Sequence, residues 1–466
     1  MTDRAATLHA LLDLLAIPNV SSDPDGLAAN ATWIRERYAA AGAEAEVFGL
    51  PGAPHVVVGR IEGRPGGPVV GVYAHYDGQP VDPDMWTDPP FSPTLRTDRV
   101  DRGGRVVSPG SEVDDDWRVY ARGSSDDRAP IIALLAALES LGGAQPDTTI
   151  VFLFEGEEEV GSPNLGRYVS ALQDRLAADV WLVCDGPVHQ SGIPQVALGV
   201  RGFAELEIEV FGPPADLHSG HYGEWAVNPA DALARIVTSL RTDRGRPLVE
   251  GFLDGMVWPD EETLAAAALV PDPEVLGFRP PDEGGYAAAL LEPIVNVRGL
   301  RSGDVGRASR NVVPHSAVAS IDLRLVAGID PEAAIDAVAA HIADLGFHLV
   351  DGEPTDEERA QHRRLARVSG IAGYPGVRTS VADPVVRRVV EAVRSAAGED
   401  PIVLPSMGGS VPMYDLTNLG APLAILPIAN HDNNQHAADE NLRLGNLFYG
   451  VDVMKALLAS QPTADS

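Results

Sequence analysis

The first part of the chain alternates short apolar runs with helical patterns. Continuous apolar runs bounded by polar residues occur at 68–73, 149–154 and 180–184, as expected for strands buried on both faces of a sheet. Helical patterns lie at 28–41 and 129–141, and residues 1–17 read as an amphipathic first helix. This alternation predicts an α/β fold with a mainly parallel sheet.

The pattern changes at Phe203. Residues 204–210 alternate with period two, which predicts an antiparallel strand with one solvated face. Further strand patterns lie at 294–297, 318–326 and 347, and helical patterns lie at 228–240 and 331–345. Two helices on one face of an antiparallel sheet form an α+β layer, which we interpret as an inserted domain.

A long helical pattern at 383–397 and an apolar run at 423–428 resume the first architecture. We therefore predict a first domain formed by residues 1–202 and 381–466, with residues 203–380 inserted between them.

Histidine and carboxylate side chains follow several of the predicted strands. The positions are His75 to Asp77, Ser125 to Asp127, Glu157 to Glu159, Asp185 and His436. Ligands of open α/β sheets bind beyond the carboxyl ends of the strands, so these side chains are expected to meet in one crevice. Imidazole and carboxylate oxygens together are typical donors for divalent metal ions. The sequence therefore predicts a metal site.

The composition excludes several other chemistries. Lysine occurs once, as Lys455, and cysteine occurs once, as Cys184. Neither a Schiff-base nor a Walker-type lysine is available, and one cysteine builds no disulfide framework or thiolate zinc site. Cys184 is predicted to be a small buried hydrophobe, and the low cysteine count fits a cytoplasmic location.

Charge and hydropathy exclude two classes of partner. The net charge of −32 disfavours nucleic-acid binding, which requires clustered cations. No apolar run approaches the ~20 residues that span a bilayer, so no membrane association is expected. A solvated acidic surface explains the charge without any steering role.

Three short motifs occur in a fixed order. They are His75-Tyr76-Asp77, residues 123–127 (Gly-Ser-Ser-Asp-Asp) and residues 155–162 (Glu-Gly-Glu-Glu-Glu-Val-Gly-Ser), followed by Asp185, residues 408–410 (Gly-Gly-Ser) and His436. Together they resemble the co-catalytic metallopeptidase family that contains cytosolic nonspecific dipeptidase, carnosinase, aminoacylase and glutamate carboxypeptidase. Asp185 and the long stretch 241–309 are most similar to the dipeptidase branch. The resemblance implies a zinc-exopeptidase catalytic domain with an inserted ferredoxin-like lid that also dimerises.

The resemblance implies two divalent metal ions per subunit. His75, Asp126 and Asp185 would hold the first, and Asp126, Glu159 and His436 would hold the second. Asp126 would bridge them, because two cations about 3.5–4 Å apart need an anion between them. Zinc is the expected metal, and manganese or cobalt is also compatible with these donors.

The resemblance also assigns catalytic roles. Asp77 would accept the second N–H of His75, and Glu158 would be the general base that activates the water between the metals. His218 resembles the histidine that reaches the partner's active site in dimeric relatives and polarises the scissile carbonyl. The alternatives are a solvated acid run for Glu157 to Glu159 and a structural turn for His218. Two nearby histidines, His221 and His431, are not chosen.

Substrate contacts are predicted mainly at the substrate carboxylate. Arg324 falls at the family's carboxylate-binding arginine, with further donors at Gly409 and Ser410, and Asn311 resembles another substrate-side position in the lid. The alternative for Arg324 is an ordinary exposed strand arginine.

These features predict a metal-dependent exopeptidase, specifically a dipeptidase, that acts on a small peptide or N-acyl amino acid with a free carboxylate. The enzymatic alternative is an amidohydrolase for N-acyl or N-carbamoyl amino acids. A noncatalytic acidic binding protein is the alternative from another class. A homodimer through the lid is the expected assembly.

Overall fold

The computed structural model describes residues 3–110, 113–273, 277–279, 281, 284–409 and 413–459. The α-helices of this part are α1 (Arg4–Leu15), α2 (Pro24–Ala40), α3 (Arg128–Ser140), α4 (Leu165–Ala171), α5 (Ser219–Tyr222), α6 (Pro229–Leu240), α7 (Glu261–Leu269), α8 (Tyr286–Ala289), α9 (Pro331–Asp344), α10 (Asp356–Gln361), α11 (Pro384–Ala397), α12 (Tyr414–Thr417) and α13 (Leu444–Leu458). None of them is long and apolar enough to cross a membrane.

The strands of the described part are β1 (Glu44–Phe48), β2 (Val56–Ile61), β3 (Val69–His75), β4 (Thr94–Arg96), β5 (Arg118–Tyr120), β6 (Thr149–Glu155), β7 (Val180–Val183), β8 (Gln195–Ala197), β9 (Gly199–Val200), β10 (Gly202–Phe211), β11 (Leu217–His218), β12 (Ile294–Ser302), β13 (Val312–Val313), β14 (Ser316–Leu325), β15 (His348–Leu349), β16 (Leu365–Ala372), β17 (Val377–Arg378), β18 (Ile402–Leu404), β19 (Leu423–Ile425) and β20 (Asn441–Arg443).

The larger sheet has eight strands in the order β1-β2-β6-β3-β7-β19-β8-β18. Its central strands β6, β3, β7 and β19 pair in parallel, as does β18 with β8, whereas β1 and β2 are antiparallel at one edge. Alternate residues of the central strands enter two hydrophobic clusters, for example Val72 in one and Tyr73 in the other. Both faces are therefore buried, which explains why the sequence shows continuous apolar runs there. The protein thus has an α/β fold built on a large mixed sheet.

The second sheet has five strands in the order β12-β14-β10-β16-β15, drawn from between Gly202 and Ala372. All its pairings are antiparallel except β15 with β16. Helices α6 and α9 pack on it and share one hydrophobic cluster with it. The strand β10 alternates as predicted, with Ile208 buried and Glu207 exposed. These strands lie within the predicted insertion 203–380 except for Gly202, and the exact boundaries of the insertion stay a prediction.

Several local expectations were wrong. Asp126 and Asp127 do not follow a strand of the large sheet, because β5 belongs to a separate three-stranded sheet with β4 and β20. The strand expected at 423–428 ends at Ile425, before Pro427, which has no N–H for sheet pairing. The strand β16 was not predicted, because its second half is mostly exposed and shows no apolar alternation.

Candidate metal centre

Three neighbouring parallel strands deliver the first part of the site. Strand β3 ends at His75, and β7 ends two residues before Asp185. Strand β6 leads into a short 3-10 helix, Glu158–Val160, which carries Glu158 and Glu159. Because these strands run in parallel, their carboxyl ends lie at one edge of the sheet.

Two turns from outside the sheet complete the site. Asp126 lies between β5 and α3, and its peptide bond to Asp127 is cis. His436 lies between β19 and β20 and has a positive φ of 60°, and φ is also positive at the nearby Asn434 (56°) and Asp439 (59°). Asn, Asp and His are the non-glycine residues that adopt this left-handed conformation most readily, so the local sequence suits a tight turn.

Asp126 lies between two histidines. Its Oδ1 is 3.0 Å from Nε2 of His75, and its Oδ2 is 3.0 Å from Nε2 of His436. His436 Nε2 also lies 3.2 Å from Oε2 of Glu159. One carboxylate therefore faces two imidazoles, one at each oxygen.

Two groups of donors could each hold a metal ion. Asp126, Glu159 and His436 form one group, and His75, Asp127 and Asp185 form the other, with each group's ligand atoms within 4.8 Å of one another. The first group is the set predicted for the second metal. The other group contains Asp127 beside the predicted His75 and Asp185. Asp127 was expected in the crevice but was not predicted as a ligand, although its position next to Asp126 is a signal that could have suggested it.

The buried polar atoms fit divalent cations. Both ring nitrogens of His75 and Oε1 of Glu159 are buried without a hydrogen-bond partner in the described part of the chain. Nδ1 of His75 lies 3.3 Å from Oδ1 of Asp77, but the two are not aligned as a hydrogen bond. Buried polar atoms are normally satisfied, so unpaired imidazole and carboxylate atoms in one cluster suit metal ligation.

Crowded carboxylates change the acid-base behaviour of the cluster. Burial raises the pKa of Asp185 to about 6, and the charge of Asp126 adds to this effect. Burial also raises the pKa of Glu158 well above its usual value, with His75 opposing and the neighbouring acids reinforcing the shift. For Asp126, burial acts in the same direction, but the close imidazoles of His436 and His75 hold its pKa well below the usual range. Such repulsion among acids is what bound cations relieve.

Asp77 is placed to organise the glutamate pair. Its Oδ1 accepts the backbone N–H of Glu158 at 3.1 Å, and its Oδ2 accepts that of Glu159 at 3.2 Å. The hydroxyl of Ser21 also donates to Oδ2 at 2.9 Å. Asp77 therefore fixes the glutamates as well as facing His75, a role that was not expected.

Two glutamines were missed by the sequence reasoning. Gln79 Nε2 donates to Oε2 of Glu159 at 2.8 Å, and Gln435 Nε2 lies 3.4 Å from Oδ2 of Asp126. Both are close in sequence to predicted ligand motifs, which is the only signal that could have pointed to them.

The residues set aside by the sequence reasoning lie elsewhere. Glu157 binds the backbone N–H and the side-chain amide of Asn164, both at 2.9 Å, at the start of α4. His431 lines a cavity that also contains Arg324, not the cavity that Asp126 and Glu158 line.

Two adjoining cavities lie next to the cluster. The inner cavity is about 250 Å³ and is lined by Asp126, Glu158, Asp185 and His436, among others. The outer cavity is about 560 Å³ and contains Arg324. Gly409 lines both cavities, so it lies at their junction. Ser410 lies outside the described residues.

The structure does not bring His218 or Asn311 to this cluster within the chain. Both are exposed, and neither lines the two cavities as far as the described residues show. They lie side by side, because Ser219 N–H donates to the Asn311 carbonyl at 3.0 Å. Nδ1 of His218 accepts the N–H of Gly220 at 3.0 Å, so a neutral ring carries its proton on Nε2.

The chain is similar to known metallopeptidases over most of its length. It is 24% identical over 424 residues to the Cys-Gly metallodipeptidase dug1 of Schizosaccharomyces pombe, covering 85% of this chain and 81% of the relative. It is 27% identical over 389 residues to the cysteinylglycine-S-conjugate dipeptidase of Corynebacterium striatum, covering 80% and 77%.

Its structure is similar to that of an M20 family metallo-carboxypeptidase from Sulfolobus solfataricus. The TM-score is 0.73 at 28% identity, covering 97% of this chain and 98% of the other. The sequence profile of Peptidase family M20/M25/M40 matches residues 71–460. The chain therefore belongs to peptidase family M20/M25/M40.

Proposed function

We propose that this protein is a metal-dependent dipeptidase that hydrolyses small peptides with a free C-terminal carboxylate. The observation that carries the proposal is the Asp126 carboxylate, which lies 3.0 Å from both His75 and His436 and forms one side of a cavity that also contains Glu158. The relatives named as dipeptidases support the same activity.

The ligand sets proposed for the two metals are those of the sequence, with Asp126 common to both. His75 and Asp185 hold the first ion, and Glu159 and His436 hold the second. Two such ions would polarise the scissile carbonyl and make a water acidic enough to attack it. Zinc is the proposed metal, because imidazole with carboxylates suits it, and manganese or cobalt could occupy the same donors.

Glu158 is the proposed general base. Its Oε2 lies 3.9 Å from Nε2 of His75, and its side chain lines the inner cavity. It takes a proton from the attacking water as the carbon–oxygen bond forms, and gives that proton to the leaving amine as the carbon–nitrogen bond breaks.

The outer cavity is the proposed site for the substrate's carboxyl end. The guanidinium of Arg324 is half-buried there, and it is held by a hydrogen bond of 3.1 Å from its Nε to Asp322. An arginine held in this way can bind a carboxylate through two parallel hydrogen bonds. Gly409 at the junction of the cavities, together with Ser410, is the proposed source of further donors.

A homodimer is proposed to complete each site. The exposed Nε2–H of His218 would stabilise the developing oxyanion of the partner's substrate, with Asn311 beside it. A cytoplasmic location is also proposed, on the basis of the single buried cysteine, Cys184.

Product analysis tests the proposal. The purified chain, loaded with zinc, manganese or cobalt, is given dipeptides, N-acyl amino acids and N-carbamoyl amino acids. Preferential release of free amino acids from dipeptides, abolished by a chelator and restored by metal, is the expected result. Preference for the acylated substrates would show that the protein is an amidohydrolase. No hydrolysis by the fully metal-loaded chain would favour the noncatalytic binding protein.

A further inference from the structure

Glu440 and Arg122 form a fully enclosed ion pair close to the metal centre. Their side chains are 0% and 2% exposed, and Arg122 Nη1 lies 2.7 Å from Oε2 of Glu440. Burying two charges costs free energy that their attraction only partly offsets, so such a pair adds little to stability by itself. Its hydrogen bonds indicate what else it does.

Most of the hydrogen bonds that the Glu440 carboxylate accepts come from residues 123–126 of one turn. Oε1 accepts the N–H of Ser125 at 2.9 Å, the Ser125 hydroxyl at 3.0 Å and the N–H of Asp126 at 3.1 Å. Oε2 accepts the N–H of Gly123 at 3.0 Å in addition to Arg122. Gly123 has a φ of 76°, a conformation that favours glycine, so the turn has one defined shape. Asp126 lies in this turn, one residue before its end at Asp127.

The same ion pair also holds the segment that carries His436. Arg122 Nη2 donates to the Ala437 carbonyl at 3.3 Å, and Ala121 N–H donates to the Glu440 carbonyl at 3.2 Å. Directly beyond them, β20 pairs with β5. The two turns come from distant parts of the chain, and this pair of side chains joins them.

We propose that the Glu440–Arg122 pair positions Asp126 against His436 and thereby sets the affinity of the second metal site, formed by Asp126, Glu159 and His436. This rests on the proposed two-metal function. The first site depends less on the pair, because His75 is the last residue of β3 and Asp185 follows β7 by two residues, so both are placed by the large sheet. Glu440 is thus a positioning residue.

Glu440→Gln tests the proposal in the full chain. The substitution keeps the shape but turns an amide NH₂ toward donors that need an acceptor. Stepwise titration of metal-free protein with Co²⁺, followed by visible absorption and by competition with a chelator, measures the two affinities separately. The second affinity is expected to fall about 10- to 100-fold, the usual effect of losing support for a ligand, while the first, which shares only Asp126 with it, falls much less.

Asp432→Asn is the matched control. Asp432 accepts from Arg118 of β5 at 3.0 and 2.9 Å, so it stabilises the same pair of strands, yet it makes no hydrogen bond to residues 122–126. Thermal unfolding of both metal-free variants shows whether they are destabilised comparably. Weaker second-site binding in Glu440→Gln alone supports the proposal, and equal weakening in Asp432→Asn overturns it.

Ser125→Ala provides a second test if Glu440→Gln does not fold. It removes only the hydroxyl bond to Glu440, so a smaller loss of second-site affinity is expected, and no loss would contradict the proposal. Titration of the native chain separates this proposal from the proposed function. If the native chain binds two ions and neither variant changes the second affinity, only the positioning role is overturned. If the native chain never binds a second ion, the metal pair itself is overturned.

Discussion

At the scale of single residues, Asp126 is held by contacts from several parts of the chain. It contacts a histidine from β3 on one side and a histidine from the turn before β20 on the other. Its backbone N–H is bound by Glu440 at 3.1 Å. A bridging carboxylate must hold both oxygens in place at once, and this arrangement supplies independent restraints for each of them.

The adjacent glutamates are expected to differ in function. Glu158→Gln should keep both metals and lower turnover by about a hundredfold to ten-thousandfold, because it removes the proposed general base and leaves the proposed ligands. Glu159→Gln should weaken the second metal, because Glu159 lies 3.2 Å from His436 in that ligand group. Metal content and kcat of the two variants check this. Metal loss in Glu158→Gln with retention in Glu159→Gln would show that the roles are reversed.

Metal binding is expected to release protons and to strengthen as pH rises. Hydrogen bonds to Asp126 and Glu159 raise the pKa of His436 to about 10, so the metal-free ring is protonated at neutral pH and must lose its proton to bind a metal. Burial raises the pKa of Asp185 to about 6, so below that pH a second proton competes. Calorimetry in buffers of different ionisation enthalpy should show more protons released at pH 5.5 than at pH 8. Proton-independent binding over this range would contradict the assigned ligands.

At the scale of elements, the alternation of apolar and polar residues in the strand β10 places one of its faces in a hydrophobic core. Ile208 is 0% exposed in the cluster shared with α6 and α9, while its neighbour Glu207 faces solvent. The same strand pairs with β14 on one side and β16 on the other, so it is central to the second sheet. Its apolar face therefore contributes to the core that the neighbouring strands and helices share.

Ile208→Ala should lower the free energy of unfolding of the second sheet by about 2–5 kcal/mol, because it leaves a cavity in a packed core. Glu207→Ala is the control from the same strand and should change it by less than about 0.5 kcal/mol. Urea unfolding followed by circular dichroism measures both. Similar values for the two variants would mean that this face is not the core of the sheet.

At the scale of the whole molecule, the proposed homodimer explains why His218 is exposed and lies outside both cavities of its own chain in the described part of the structure. A symmetric dimer uses one self-complementary surface twice, so each subunit could complete the other's site.

Mixing two inactive variants tests this assembly. Glu158→Gln and His218→Ala homodimers should each be nearly inactive, but a heterodimer contains one site with both native residues. Subunit exchange should therefore restore activity, up to about a quarter of the native level if exchange is random and the sites act independently. Verified exchange without recovery would place His218 in its own subunit's site or outside catalysis.

The sequence by itself determined the central strands, most of the longer helices and the order of the motifs. Continuous apolar runs identified β3, β6 and β7, because a strand buried on both faces needs apolar residues throughout. The ligands that directly follow such strands, His75 and Asp185, could be proposed from position alone, since parallel strands bring their carboxyl ends together.

Only the tertiary structure determined how the remaining proposed ligands are brought to the metal centre. Asp126 and His436 are carried by turns that meet through the pairing of β5 with β20, two strands of three residues whose partner is far away in sequence. Glu440 and Gln435 belong to the surroundings of Asp126 for the same reason. Their roles rest on hydrogen bonds between distant segments, and such contacts leave no periodic pattern in the chain from which they could be predicted.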